Sequence, residues 1–244
     1  MAKLRLDQLL LERGFVESRS QAQALIMAGL VYVNGQKADK AGSTFDAEAD
    51  ITVRETLRYV SRGGLKLEKA IKTFPFDPQG CTCLDVGAST GGFTDVLLQH
   101  GASCVYAVDV GHGQLHYRLR QDPRVINLEK THVRNLDERL IPQRVDALVI
   151  DTSFISLSRV LPHAWTFLRA GGWCVALIKP QFEVGPKNLR KGVVRDERAR
   201  QQAVKSVLEL AKTLPGCRII GVEPSPITGP KGNIEYLLGL VREY

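Results

Sequence analysis

The sequence predicts an α/β chain in two parts: a doubly wound, mostly parallel sheet of seven strands with a C-terminal antiparallel hairpin, preceded by a small α+β unit. Three observations carry this. From Cys81 onward, strand-like apolar runs alternate with helical patterns, and such alternation demands crossovers that cover both faces of a parallel sheet. The last two runs, 217–223 and 233–241, are joined by Pro224 to Gly232 with no helix between them, so they form a hairpin. Ahead of residue 60, two helical patterns and a small sheet bury too little surface to be more than a recognition module.

In chain order, Leu6, Leu9, Leu10 and Arg13 keep helical spacing up to Gly14, and Ser18 or Ser20 can cap a second helix carrying Ala22, Leu25, Ile26 and Gly29. Val31-Tyr32-Val33 enters an Asn34-Gly35 turn, and Ile51-Thr52-Val53 is a later short strand. Thr56 to Arg62 is the expected linker, which divides the chain into 1–55, 56–62 and 63–244. Leu65, Leu67, Ala70, Ile71 and Phe74 mark a helix with lysines on its other side, and Pro75 to Gly80 lead into the main sheet. Strands are expected at 81–86, 103–109, 124–128, 145–151 and 173–179, with helical patterns between them, notably 197–214.

With 44% hydrophobic and 24% charged residues, the composition is that of an ordinary globular protein. No apolar run approaches the roughly 18 residues that span a bilayer, and MAKLRLDQLL lacks the apolar core of a signal peptide. A cytoplasmic protein without a membrane partner is expected. Cys81, Cys83, Cys104, Cys174 and Cys217 lack C-x-x-C spacing and lie in or beside apolar runs, so they read as reduced core residues; no metal is expected. The net charge of +7 suits a polyanionic partner. Its excess lies at 61–72, with Arg62, Lys66, Lys69 and Lys72 against Glu68, and at 186–200, with six basic residues against Asp196 and Glu197.

The chemistry centres on Cys83 to Asp95, CLDVGASTGGFTD: a buried strand, a glycine turn and a helix start whose free N–H groups face a ligand. Neither G-x-G-x-x-G nor a Gly-Lys-Ser/Thr phosphate cradle is present, so a nucleotide-like cofactor without a pyrophosphate fits, with S-adenosylmethionine the leading candidate. Asp85, Gly87, Ser89, Gly91, Gly92 and Phe93 are its expected contacts, the glycines letting backbone approach the methionine part. Asp109 ends the second strand 22 residues beyond Gly87, where a carboxylate can accept two ribose hydroxyls; the alternative is a capping aspartate ahead of Gly111. His132 is placed beside the adenine or on the surface.

The fourth strand ends at Asp151 and the fifth at Lys179. A lysine ending an apolar strand needs an anionic partner, and Asp151 at the same edge is the natural one. Glu235 opens the hairpin's return strand and Lys66 stands ahead of the sheet. Two lysines and two acids near one cofactor suit transfer to a ribose hydroxyl, which needs a cationic neighbour with a perturbed pKa to steer or take its proton. Structural ion pairing is the alternative for all four.

Two resemblances sharpen this. RLDQLLLERGFVESRSQAQALIMAGLVYVNG resembles the ribosomal-protein-S4-type RNA-binding domain, which implies RNA phosphate contacts at Lys3, Arg5, Arg19 and Lys37, with Arg62 added from the basic stretch. Yet residues 1–60 hold eight Lys/Arg and eight Asp/Glu. Residues 60–241 resemble the FtsJ-type ribose 2'-O-methyltransferases, and the whole chain resembles the TlyA, or hemolysin-A-like, family. The segments carrying this are VSRGGLKL at 60–67, DVGASTGGFT at 85–94, DVGHGQL at 109–115, SFISL at 153–157, KPQFE at 179–183 and GPKGNIEY at 229–236. The resemblance implies a class I, Rossmann-like methyltransferase sheet and cytidine 2'-O-methylation of ribosomal RNA, free or in a ribosomal subunit, the large-subunit RNA above all. It implies that Lys179 activates the hydroxyl, Asp151 orients that lysine, and Lys66 and Glu235 position the ribose. Lys69 is a rival for the first lysine, and the Arg-Gly-Gly-Leu-Lys context favours Lys66. The competing classes are a secreted cytolysin, which no feature supports, and a non-catalytic RNA-binding assembly factor, which the intact tetrad opposes. The oligomeric state is not legible.

Overall fold

The structure, a computed structural model, describes residues 3–16, 18–27, 29–53 and 58–244. The chain forms two compact units, Met1–Arg58 and Tyr59–Tyr244.

The first unit runs β1 (Lys3–Arg5), α1 (Leu6–Glu12), α2 (Arg19–Met27), β2 (Val31–Val33), β3 (Gln36–Lys37), β4 (Thr44–Asp46) and β5 (Ile51–Val53). Of the two serines that could cap α2, Ser18 does so, its Oγ accepting the Gln21 N–H at 3.3 Å, while Ser20 lies inside the helix. Asn34 and Gly35 take φ of +50° and +76°, the left-handed pair of a type I′ turn, and β2 pairs with both β3 and β5. The antiparallel β1–β4 ribbon adds to the expected elements, because three-residue strands carry too little alternation to be read. Leu6, Leu9, Leu10, Ile26 and Val31 form the core of this unit.

The second unit comprises α3 (Gly64–Thr73), β6 (Thr82–Val86), α4 (Gly92–Gln99), β7 (Cys104–Val108), α5 (Tyr117–Arg120), β8 (Val125–Leu128), β9 (Val145–Ile150), α6 (Leu161–Trp165), β10 (Leu168–Ile178), α7 (Pro180–Glu183), α8 (Glu197–Lys212), β11 (Cys217–Pro224) and β12 (Tyr236–Arg242). The seven-stranded sheet has the order β11-β12-β10-β9-β6-β7-β8. β12 runs antiparallel to both its neighbours, inserted between β10 and β11. Successive residues of β9 enter opposite cores, Leu148 and Ile150 on one face and Ala147 and Val149 on the other, as a strand covered on both sides requires.

Two expectations need correction. The crossovers are not uniformly helical: α5 and α6 span four and five residues, and β8 reaches β9 through a 3₁₀ turn at Val133–Asn135. There Asp137 Oδ1 accepts the Arg139 and Leu140 N–H groups, a side-chain bond that competes with helix before Pro142. Of the expected linker, Thr56 and residue 57 lie outside the described residues, and Tyr59 to Arg62 belong to the second unit. Tyr59 is buried in the core with Leu67 and Phe93, and the Val60 N–H donates to Asp95 Oδ2 at 2.8 Å. All five cysteines are free, but only Cys83 and Cys174 are buried; Cys81, Cys104 and Cys217 are half-buried. Among the described residues no helix is long and apolar enough to cross a membrane.

Candidate active site

Parallel pairing of β6, β7, β9 and β10 brings their carboxyl ends to one edge. Asp151 follows β9 and Lys179 follows β10. Glu235 immediately precedes β12, held there by the Ile178–Tyr236 pairing, and Lys66 comes from α3. The Lys179 ammonium meets Asp151 Oδ1 at 2.6 Å, a charge contact off the angle of a hydrogen bond, and donates to Ser153 Oγ at 2.9 Å. Lys66 Nζ donates to Glu235 Oε2 at 2.7 Å and lies 3.6 Å from Asp151 Oδ2, so Asp151 bridges the two lysines. Lys66, Lys179 and Glu235 are only 7%, 6% and 1% exposed. With Asp151, which is half-buried, they form two cations and two carboxylates in mutual contact, an arrangement that offsets the cost of removing charge from water. Gly229 leaves room for Glu235, since a Cβ there would overlap its carboxylate. The rival Lys69 instead donates to the Pro224 carbonyl at 2.7 Å, away from the cluster.

Beside the cluster lies a cavity of about 480 Å³ lined by Gly87, Ser89, Asp109, Gln114, His132, Asp151 and Phe154, among others. A smaller recess of about 160 Å³ shares Gly87, Ser89, Asp151 and Ser153 with it and reaches Gly92, Phe93 and Lys179. The cavity is of the size that takes a nucleoside-like ligand. Asp109 accepts the Ser89 N–H at 2.8 Å on Oδ2 and the Gly111 N–H at 2.7 Å on Oδ1. It therefore caps its own turn, ties the glycine turn to β7 and still faces the cavity with lone pairs to spare. His132 lines the cavity while its Nδ1 accepts the Arg134 N–H at 3.1 Å.

Two of the expected cofactor contacts, Asp85 and Gly91, lie away from both cavities. Asp85 is fully buried and lines neither cavity; Oδ2 accepts the Thr94 hydroxyl at 2.7 Å and Oδ1 has no partner among the described residues. Burial pushes this carboxyl up to about 7. Gly91, at φ +94°, lines neither cavity, and a Cβ there would overlap Leu119 and come 2.8 Å from Leu115. A Cβ on Gly87 would meet the Asp151 carbonyl at 2.9 Å, and one on Gly92 the backbone of Gly64 at 2.9 Å. These glycines serve close packing of the protein on itself as much as approach of a ligand.

In the first unit, Lys3 and Lys37 are exposed, whereas Arg5 holds Asp7 with two hydrogen bonds of 3.1 and 3.0 Å and Arg19 pairs with it at 3.3 Å. Asp7 is fully buried, and the Arg5 guanidinium holds its carboxyl well below the usual carboxylate range. Arg5 and Arg19 thus anchor an internal acid, with only their outer faces free. Arg62 is exposed.

Sequence reasoning named no role for Ser153 or Gln181. Gln181 is buried; its Nε2 donates to Glu235 Oε1 at 3.4 Å and its own Oε1 has no partner among the described residues. The available signal was position, each lying two residues beyond a charged strand end. Among the described residues no cluster of three metal-ligating side chains occurs.

The comparisons agree with this architecture. The FtsJ-like methyltransferase family matches residues 59–242, and the S4 domain matches residues 4–51. The candidate rRNA methyltransferase YqxC of Bacillus subtilis (strain 168) is 47% identical over 241 residues, 98% of this chain and 85% of that protein. The 16S/23S rRNA (cytidine-2'-O)-methyltransferase TlyA of Mycobacterium tuberculosis is 46% identical over 241 residues, 98% of this chain and 90% of that protein. A solved structure of a candidate hemolysin from Streptococcus thermophilus superposes with a TM-score of 0.75 at 43% identity, covering 99% of this chain and 89% of that one.

Proposed function

Because the chain belongs to the FtsJ-like methyltransferase family, and to its S4-bearing TlyA members, we propose that it methylates the ribose 2'-hydroxyl of cytidine in ribosomal RNA. S-adenosylmethionine is the proposed donor. The large-subunit RNA is the substrate the sequence resemblance puts first, although the M. tuberculosis relative's name covers both RNAs. The observation that carries the reading is the Lys179–Asp151 pair, Asp151 lining both the cavity and its recess and Lys179 lining the recess. Gly87, Ser89, Asp109 and His132 would hold the donor, which supplies an electrophilic methyl group when bound.

The chain's own residues do the rest. The Lys179 ammonium donates to Ser153 Oγ and lies in charge contact with Asp151, which leaves N–H groups to meet and steer the 2'-oxygen; only as the neutral amine would Lys179 take the hydroxyl's proton. Asp151 fixes that lysine, while Lys66 and Glu235 position the ribose. Holding the hydroxyl in line with the methyl is the larger part of the task. Lys3 and Lys37, with the outer faces of Arg5 and Arg19, are proposed to reach RNA phosphates, as is Arg62.

Labelled S-adenosylmethionine should label ribosomal RNA in the presence of the protein, with the site mapped on both RNAs by mass spectrometry. Lys179→Ala and Asp151→Ala should each lower the rate by at least about 100-fold with the fold intact. Full transfer in both variants would overturn the assignment.

A further inference from the structure

Residues 187–195 and 229–234 contain Lys187, Arg190, Lys191, Arg195 and Lys231 and no acid. All five are exposed, and none makes a side-chain ion pair or hydrogen bond among the described residues. The backbone at two of these lysines is unusual. Arg190 and Val193 exchange N–H···O bonds of 3.0 and 3.1 Å around Lys191 at φ +53° and Gly192 at φ +81°. This is a type I′ turn, whose first central position normally takes Asn, Asp or Gly. Lys231 adopts φ +59° and ψ +15° in the Pro230–Gly232 turn. A lysine in the left-handed region carries strain that a glycine would not.

The two turns meet. A methyl group built on Gly192 would lie 3.3 Å from Lys231 Nζ. Asn233, 3% exposed, locks them together: its Nδ2 donates to the Gly192 and Pro230 carbonyls at 3.0 and 3.1 Å, and its Oδ1 accepts the Val194 N–H at 3.1 Å. Asn233 stands two residues ahead of Glu235, so the locked turns adjoin the reacting cluster through the chain itself. Like charges held together on strained, rigid backbone call for an anion, and a row of cations without a pocket suits a polyanion. The first unit adds no net charge to this attraction, because residues 1–60 are neutral overall and the net charge of +7 lies in residues 61–244.

We propose that the paired turns at Lys191 and Lys231, flanked by Arg190 and Arg195, grip the sugar–phosphate backbone of the RNA beside the nucleotide being methylated. This rests on the methyltransferase reading above. Phosphate contacts set position and the salt dependence of affinity and carry no base sequence.

The test is the double variant Lys191→Gly/Lys231→Gly, which removes both charges while relieving the backbone, so its melting temperature should equal or exceed the parent's. Its affinity for ribosomal RNA at about 0.1 M salt should fall at least about tenfold, and the slope of log affinity against log salt should shrink by about 1.4. KM for RNA should rise, with S-adenosylmethionine affinity and kcat at saturating RNA unchanged. Lys191→Arg/Lys231→Arg should keep the parental affinity. If the parent methylates RNA and the glycine variant binds it with parental affinity and slope, the paired-turn proposal falls and the function stands. A parent that neither binds nor methylates RNA would overturn both.

Discussion

Asp85 shows how one side chain can be set apart from the role its position suggests. It is the last but one residue of β6, two before Gly87, near where a cofactor ligand would stand, yet it is buried with Thr94 on one oxygen. Because its folded pKa of about 7 stands above the ordinary carboxylate value, the folded chain keeps this proton longer than the unfolded chain does. That contribution to stability is fully present below about pH 4 and is lost as pH rises through 7. Asp85→Asn cannot ionise, so its melting temperature relative to the parent should be higher at pH 8 than at pH 5. An equal gap at both values would place the titration elsewhere.

At the scale of elements, the join between β6 and α4 is shaped by packing as well as by ligand. Gly91 caps the start of α4 in the left-handed region and faces Leu115 and Leu119. Gly91→Ala should therefore cost about 2 kcal/mol or more in chemical denaturation, from strain and overlap together. S-adenosylmethionine affinity, measured well below the unfolding midpoint, should change little. Parental stability would mean that the two leucines move aside freely. The β10–β12 pairing has a different consequence: it sets Lys179 and Glu235 at one sheet edge although they come from opposite ends of a long excursion through α8 and β11.

For the whole molecule, two units with separate cores predict separable functions. A protein lacking residues 1–58 should bind S-adenosylmethionine like the parent and bind ribosomal RNA more weakly, both read by calorimetry. Loss of both would show that the units do not stand independently.

The alternation of strand and helix, the terminal hairpin, the Asn34-Gly35 turn and the strand-end positions of Asp109, Asp151 and Lys179 were legible in the sequence. Each is written in neighbouring residues, where periodicity and turn chemistry act locally. Tertiary structure alone decided that Lys66 and Glu235, 169 residues apart, share a hydrogen bond, and that Arg5 and Arg19 converge on Asp7. It alone turned Gly91 toward leucines and brought the turns of Lys191 and Lys231 together. These are contacts made only when the chain closes on itself, and their energies depend on burial and distance, which no local pattern of residues records.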